Sequence, residues 1–240
     1  MLSVIYALSF YAATLMLVVG VGLKIWKYAR TPAPLKIPTT PAPTTVWGVV
    51  LRMFREVVFF ESLFKSNKWI WLFGWMFHIS LWLVLIRHLR YFIDPVWSWV
   101  VFLQPFGTYA GYTMVLGLLG LWARRILVER IRYISSPSDH LMLALLVFIG
   151  SSGLLMRFFH RVDIISIKVY MLDLLRFRIG ELPSDPFLQA HLWSALALMV
   201  IFPISKLLHV PGVFFSPTRN QVDNPREKRH LAPWAAQLEK

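Results

Sequence analysis

The sequence predicts an all-α membrane protein: a five-transmembrane-helix bundle with its N-terminus outside and its C-terminus cytoplasmic. Three observations lead there. Of the 240 residues, 57% are hydrophobic and only 15% are charged. Uncharged runs of spanning length recur along the chain. Lys and Arg are shared unevenly between the connections. A soluble domain carries about 25% charged residues, and the mean hydropathy here is +0.58. Together these exclude a soluble enzyme domain and a disordered chain.

Each span must supply about 20 apolar residues. Residues 3–23 carry no charge and form the first span. Their start lacks the basic segment of a signal peptide and no small-residue cleavage site follows, so the span is expected to be retained. Residues 31–45, TPAPLKIPTTPAPTT, are too rich in Pro for a helix and read as extended chain. Residues 47–65 mix apolar side chains with Arg52, Arg55, Glu56, Glu61 and Lys65, the pattern of a helix lying on the cytoplasmic membrane surface. The second span is 69–86, with helix continuing to about residue 92. Between Asp94 and Arg124 lie 29 uncharged residues, too many for one upright span. Pro95 and Pro105 are expected to break their early part, leaving 106–123 as the third span. The fourth is 141–156. In 163–180 the polar residues Asp163, Ser166, Asp173 and Arg176 recur near a helical period, which predicts an interfacial helix on the outside. The fifth span, 187–208, is crossed by Pro203 and contains Lys206 near one end. The chain thus divides into a first span (1–30), a Pro-rich segment with an interfacial helix (31–68), a four-span region with an outer loop at 157–187 (69–209), and a cytoplasmic tail (210–240).

Orientation follows from charge. Five spans put the termini on opposite sides. The connections on one side hold eight, four and six Lys or Arg, 18 in all, against seven on the other. The basic side is the cytoplasmic one. The net charge of +13 is therefore read as topology, with the lipid bilayer as partner and no nucleic acid.

Chemistry must come from residues other than Cys, of which there are none. That excludes disulfides, thiolate-held iron–sulfur clusters and covalently attached c-type haem. Seven His remain. His230 lies in the polar tail, and His140 and His160 lie at span ends, where wet or interfacial roles are ordinary. His78 and His88 belong to the second span, His191 and His209 to the fifth. Ionisable groups inside spans are costly and point to function. Residues 78 and 88 are about 15 Å apart along a helix, too far to hold one iron, while 191 and 209 are about 27 Å apart on one face. Antiparallel helices then pair His88 with His191 near the outside and His78 with His209 near the inside. Two bis-His haem b groups about 21 Å apart reconcile the two separations, with tilt and a Pro203 kink absorbing the mismatch. Another metal would need further ligands, and the spans hold no Cys, Asp or Glu. Gly74, Gly107, Gly111, Gly117 and Gly120 leave room for macrocycles or for close helix packing. Arg87, Arg90 and Arg157 near the outer pair, and Lys206 near the inner one, suit haem propionates or interfacial snorkelling.

Two His ten apart in the second span and two 18 apart in the fifth resemble the gamma subunit family of respiratory nitrate reductase, a family of dihaem cytochromes b. By position, the resemblance implies that His88 and His191 hold the outer haem and that His78 and His209 hold the inner one. RTPAPLKIPTTPAP (30–43), FESLFKSNKWIWLFGWMFH (60–78) and RHLRYF (87–92) resemble the DsrM branch. That implies electron exchange between menaquinone and a cytoplasmic, heterodisulfide reductase-like iron–sulfur subunit in dissimilatory sulfur metabolism, in a bacterial or archaeal cytoplasmic membrane. It also implies an NrfD-like membrane subunit and periplasmic iron–sulfur and multihaem cytochrome c subunits. The family's quinol-linked outer-loop lysine has no counterpart, because residues 93–109 contain no Lys. The alternatives are a gamma subunit of a nitrate reductase-like quinol oxidoreductase and, in another class, a cofactor-free anchor or transporter with His as polar glue between helices.

Overall fold

A computed structural model describes residues 1–33, 35–224 and 237. His230 and the basic residues beyond Asn224 lie outside the described residues. The described chain contains ten α-helices: α1 (Leu2–Arg30), α2 (Val46–Val58), α3 (Glu61–Ser66), α4 (Lys68–His88), α5 (Ser98–Leu127), α6 (Glu129–Ile134), α7 (Pro137–Phe158), α8 (Ile164–Leu175), α9 (Pro186–Ile201) and α10 (His209–Gly212). Their starts follow local chemistry. Asn67 Oδ1 accepts from the N–H groups of Trp69 and Ile70 at 3.1 Å, which caps α4. Pro137 stands where α7 begins, and Asp139 accepts from Ser136 N at 3.1 Å. Asp163 caps α8 through Ile165 N at 2.9 Å. Such side-chain oxygens satisfy donors that the first turn leaves unpaired.

The chain forms two compact units, one of residues Met1–Thr14 and Asn67–Val200, the other of Leu15–Ser66 and Ile201–Lys240. In the first, α5 packs between α4 and α7, and glycines set the approach. A Cβ on Gly117 would lie 2.9 Å from the Phe73 carbonyl oxygen, and one on Gly107 2.8 Å from that of Leu83, both on α4. Gly111 of α5 meets Leu154 of α7, and Gly150 of α7 meets Met114 and Val115 of α5. The glycines therefore serve close helix packing. Buried Ser80 adds a 2.7 Å hydrogen bond to Thr113. The start of α1 packs with α8 and α9 around Tyr6, Ala7, Tyr170, Leu188, Leu192 and Leu196. Tyr11 donates to Leu174 O at 2.9 Å and Tyr170 to Ser3 O at 3.0 Å. Lipid tails are as apolar as these helix faces, so packing and hydrogen bonds hold such a bundle, rather than apolar burial.

In the second unit the Pro-rich segment is not helical, as expected. It grips the segment after α10. Thr39 N donates to Thr218 O at 2.9 Å, and Asp223 N to Pro43 O at 2.8 Å. Arg52 is buried and gives Nη2 to Thr39 O at 2.9 Å. Arg219 bridges Glu56 at 3.2 Å and Ser62 at 2.6 Å. Proline lacks an N–H, so this strap spends its few donors on the C-terminal segment.

Among the described residues, four stretches are long and apolar enough to cross a membrane: Leu2–Arg30, Lys68–Tyr91, Pro137–Phe158 and Pro186–Ile204. Their apolar side chains face outward, Leu15 and Val18 of α1 among them. The chain is thus a multi-pass membrane protein. Three details depart from expectation. Pro105 lies inside α5 and does not break it. Arg87 of α4 donates to the Gln104 carbonyl at 2.9 Å in that turn, the kind of support that lets membrane helices carry Pro. The interfacial helix at 47–65 is two helices, α2 and α3, parted at Phe60, whose φ is +52°. Finally, α9 does not continue to 208. It gives way at Pro203 to a 3-10 turn (Phe202–Ile204), extended Ser205 and a second 3-10 turn (Lys206–Leu208). Pro203 has no N–H to give and its ring clashes with the preceding turn. The five-turn register between His191 and His209 is therefore lost.

Candidate functional site

His88 stands at the last residue of α4 and His191 one turn into α9, both in the first unit. The structure brings them face to face: their ring centroids are 6.4 Å apart and their planes differ by 11°. His88 Nδ1 lies 2.7 Å from Val84 O, and His78 Nδ1 lies 2.7 Å from Gly74 O. His209 Nδ1 lies 2.9 Å from Lys206 O. A carbonyl can only accept, so each of these three Nδ1 atoms carries the proton. His191 Nδ1 lies 2.9 Å from Ser152 Oγ. The Ser152 hydroxyl donates to Ile149 O at 3.0 Å, so towards His191 it accepts. All four imidazoles are thus the same tautomer, with Nε2 as the basic nitrogen. A hydrogen bond on the other ring nitrogen is what orients a metal-binding imidazole and raises its basicity.

His78 belongs to the first unit and His209 to the second, and His209 is exposed at the start of α10. Arg87, Arg90 and Arg157 lie in the first unit. Arg87 donates to Gln104 O and to the Thr108 hydroxyl, both on α5. Arg90 reaches Gln104 Oε1 at 3.5 Å. Arg157 and Arg90 are near enough to repel the Arg87 charge. Among the described residues no carboxylate pairs with any of the three. Lys206 lies in the second unit, where its carbonyl orients His209. His140 takes a 3.0 Å hydrogen bond from Trp122 Nε1, and His160 pairs with Asp185. Among the described residues no group of three or more His, Asp or Glu side chains comes together.

Sequence reading missed Ser152, Gln104 and Thr108. A serine in the small-residue run GSSG (150–153) reads as packing, and nothing in the sequence marks which hydroxyl meets which imidazole. The Asp185 partner of His160 is hidden because it lies 25 positions further along the chain.

The family pattern of the nitrate reductase gamma subunit matches residues 37–224. Two similar proteins are each described as an "Hdr-like menaquinol oxidoreductase cytochrome b-like subunit". The one from Archaeoglobus fulgidus is 38% identical, over 93% of this chain and 81% of its own length. The one from Archaeoglobus profundus is 33% identical, over 97% of this chain and 83% of its own.

Proposed function

We propose a function from one premise: the chain belongs to the nitrate reductase gamma subunit family. It is a membrane cytochrome b that passes electrons between menaquinol and a partner subunit. His88 and His191 hold one haem b, and His78 and His209 hold a second. The carrying observation is the His88–His191 pair. Iron bound between two imidazoles puts their nitrogens about 4 Å apart. Adding about 1.1 Å from each nitrogen to its ring centre gives about 6.2 Å between centroids, close to the 6.4 Å found. A site with two imidazoles and no third ligand suits haem better than zinc, which takes four.

When bound, haem supplies a one-electron carrier. The chain's own groups do the rest. Val84 O and Ser152 Oγ fix the Nδ1–H tautomers of His88 and His191. Arg87, Arg90 and Arg157 supply positive charge for the outer haem's propionates, and Lys206 does so for the inner one. The helix bundle, α5 included as a fifth span, keeps water from the pair. Its 30 residues give a length of about 45 Å, enough to cross. The charge asymmetry puts the N-terminus outside and the C-terminus in the cytoplasm. Within the family we assign the chain to the DsrM branch. There it feeds a cytoplasmic heterodisulfide reductase-like iron–sulfur subunit in dissimilatory sulfur metabolism, beside NrfD-like, periplasmic iron–sulfur and multihaem cytochrome c subunits. The names of the two relatives support menaquinol and the Hdr-like complex. The test is a redox titration of the purified complex with each His replaced in turn. His88→Ala and His191→Ala remove the same b-type component, and His78→Ala and His209→Ala remove the other. Loss of one component by His78→Ala and His191→Ala together would break the assignment.

A further inference from the structure

Two polar rungs join α7 to α9. One is Ser152 with His191. The other is His160 with Asp185. His160 lies two residues past the end of α7 and Asp185 one residue before α9, so the second rung lies beyond the ends of both helices, roughly 10 Å from the first by the helical rise. The His160 ring lies 4.7 Å from that of Phe187, one turn before His191 on α9. Exposure changes along this line: His191 is part-buried, whereas the His160 side chain is 45% accessible.

The His160–Asp185 pair has the form of a proton acceptor. Asp185 Oδ1 accepts from Leu188 N at 2.8 Å, which anchors the carboxylate to the first turn of α9. Burial pulls the Asp185 carboxyl up, but the Leu188 N–H and His160 outweigh it and hold the group below its ordinary range. Asp185 stays ionised and binds His160 Nε2. A carboxylate can only accept, so the neutral ring keeps its proton on Nε2 and its lone pair on Nδ1. Among the described residues Nδ1 takes no hydrogen bond. This tautomer is the reverse of that in the four span histidines. Asp163, three residues on, caps α8, and the other charged groups near His160 in sequence are cations. Arg157 and Arg161 flank His160 in sequence, and Arg157 neighbours Arg87, with Arg90 beyond it. Asp185 is the one carboxylate that faces His160 among the described residues.

We infer that His160, oriented by Asp185, accepts the protons of quinol oxidised beside the His88–His191 pair. The inference rests on the menaquinol reading above. A quinol becomes a quinone by losing two electrons and two protons. The two electrons would leave one at a time to the haem that His88 and His191 would hold. Each proton passes from a quinol hydroxyl to His160 Nδ1, and from the imidazolium to water at the exposed edge. Asp185 stabilises the imidazolium while it exists and is a positioning residue.

The test uses the full chain in its complex, reconstituted in liposomes, with menadiol as the probe. Haem reduction is followed from about pH 5 to 9, across the range in which imidazole titrates. In the wild type the rate rises with pH, because only a neutral base accepts a proton from the quinol. His160→Gln, which keeps a donor towards Asp185, slows reduction by about 100-fold and abolishes the rise. Asp185→Asn slows reduction as well and releases the His160 proton from Nε2, because an amide can donate to that nitrogen where a carboxylate cannot. Dithionite reduction and haem content stay at the wild-type level in both. Independently of turnover, nitrogen NMR of the histidine-labelled protein finds the proton of neutral His160 on Nε2. A His160→Gln rate and pH profile like the wild type's would overturn the proposal, as would a proton on Nδ1. Loss of haem from both variants would make the pair a structural clamp and overturn it too. A wild type reduced by dithionite but not by menadiol would instead refute the menaquinol reading itself.

Discussion

Ser152 decides the state of His191. Its hydroxyl is spoken for by Ile149 O, so it offers the imidazole a lone pair and fixes the proton on Nδ1. Ser152→Ala removes that acceptor without adding bulk. Outer partners of metal ligands are worth about 10–100-fold in affinity, so this variant loses one b-type component on dilution or mild detergent washing, while the other persists. Haem content by spectrum checks it; full retention of both would leave Ser152 a packing residue. The neighbouring cations give a second outcome at this scale. A unit charge about 8–15 Å from the iron contributes about 1–2 kcal/mol at an effective dielectric near 20, or roughly 50–90 mV. Arg90→Gln and Arg157→Gln should each lower one haem's potential by that order, because a cation favours the reduced state. Arg87 is the poorer probe, since its guanidinium also holds α5 through Gln104 and Thr108. The approach of His88 to His191 was legible in the sequence, because ionisable residues inside apolar runs stand out. Ser152 was not, because a hydroxyl in such a run is ordinary, and its partner lies 39 residues away.

The element scale turns on helix approach. Gly117 lets α5 lie against α4, and a methyl there would meet the Phe73 carbonyl at 2.9 Å and Phe77 Cβ at 3.1 Å. Backbone cannot swing aside as a side chain can. Gly117→Ala should cost about 1–3 kcal/mol, read as earlier thermal loss of helix in detergent. Gly22→Ala is the control, since nothing lies within 4 Å of its added methyl, and it should be neutral or gain up to about 1 kcal/mol. Equal behaviour of the two would remove the packing role of the glycines. The loop after α4 is tied to α8 by Lys168 and Asp94 at 2.6 Å. The Lys168 ammonium holds the Asp94 carboxyl below its usual range. A lowered folded value means the tie is full above the unfolded Asp value of about 3.9 and is lost as pH falls through the folded one. Hydrogen exchange in α8 should rise only below about pH 4, and Lys168→Met should abolish that acid step; an unchanged step would assign it elsewhere. Helix positions were largely legible, since α1, α4 and α7 cover the uncharged runs. The prolines were misjudged in opposite directions. Pro105 is carried within α5 beside the Arg87 contact to Gln104, whereas Pro203 ends α9. What differs is the neighbouring helix, which a single sequence does not display.

For the whole molecule the central quantity is charge sidedness. Eighteen Lys and Arg against seven predict the orientation. Reporter fusions after residues 30, 127 and 224 should be active only on the cytoplasmic side, and one after 178 only on the outside. A cytoplasmic reporter at 178 would reverse the five-span reading. The Pro-rich strap was legible as extended chain, but its hold on the 216–224 segment was not, because main-chain bonds between distant extended segments leave no pattern in side-chain type. The same grip bears on partner docking. The strap stabilises the chain's own C-terminal segment, so exposed Arg55 and its salt-bridge partner Glu61 are the better docking probes. Arg55→Glu should weaken retention of the cytoplasmic iron–sulfur subunit in a pull-down and leave both haems in place; wild-type retention would move the docking surface elsewhere.

The account stands most directly on the number of b-type haems per chain. Purified protein should give a reduced-minus-oxidised spectrum with b-type bands and a haem content of two per chain, falling to one in His88→Ala and in His191→Ala, with the same component missing from both. A spectrum without b-type bands, or one in which His88→Ala and His191→Ala lose different components, would contradict it.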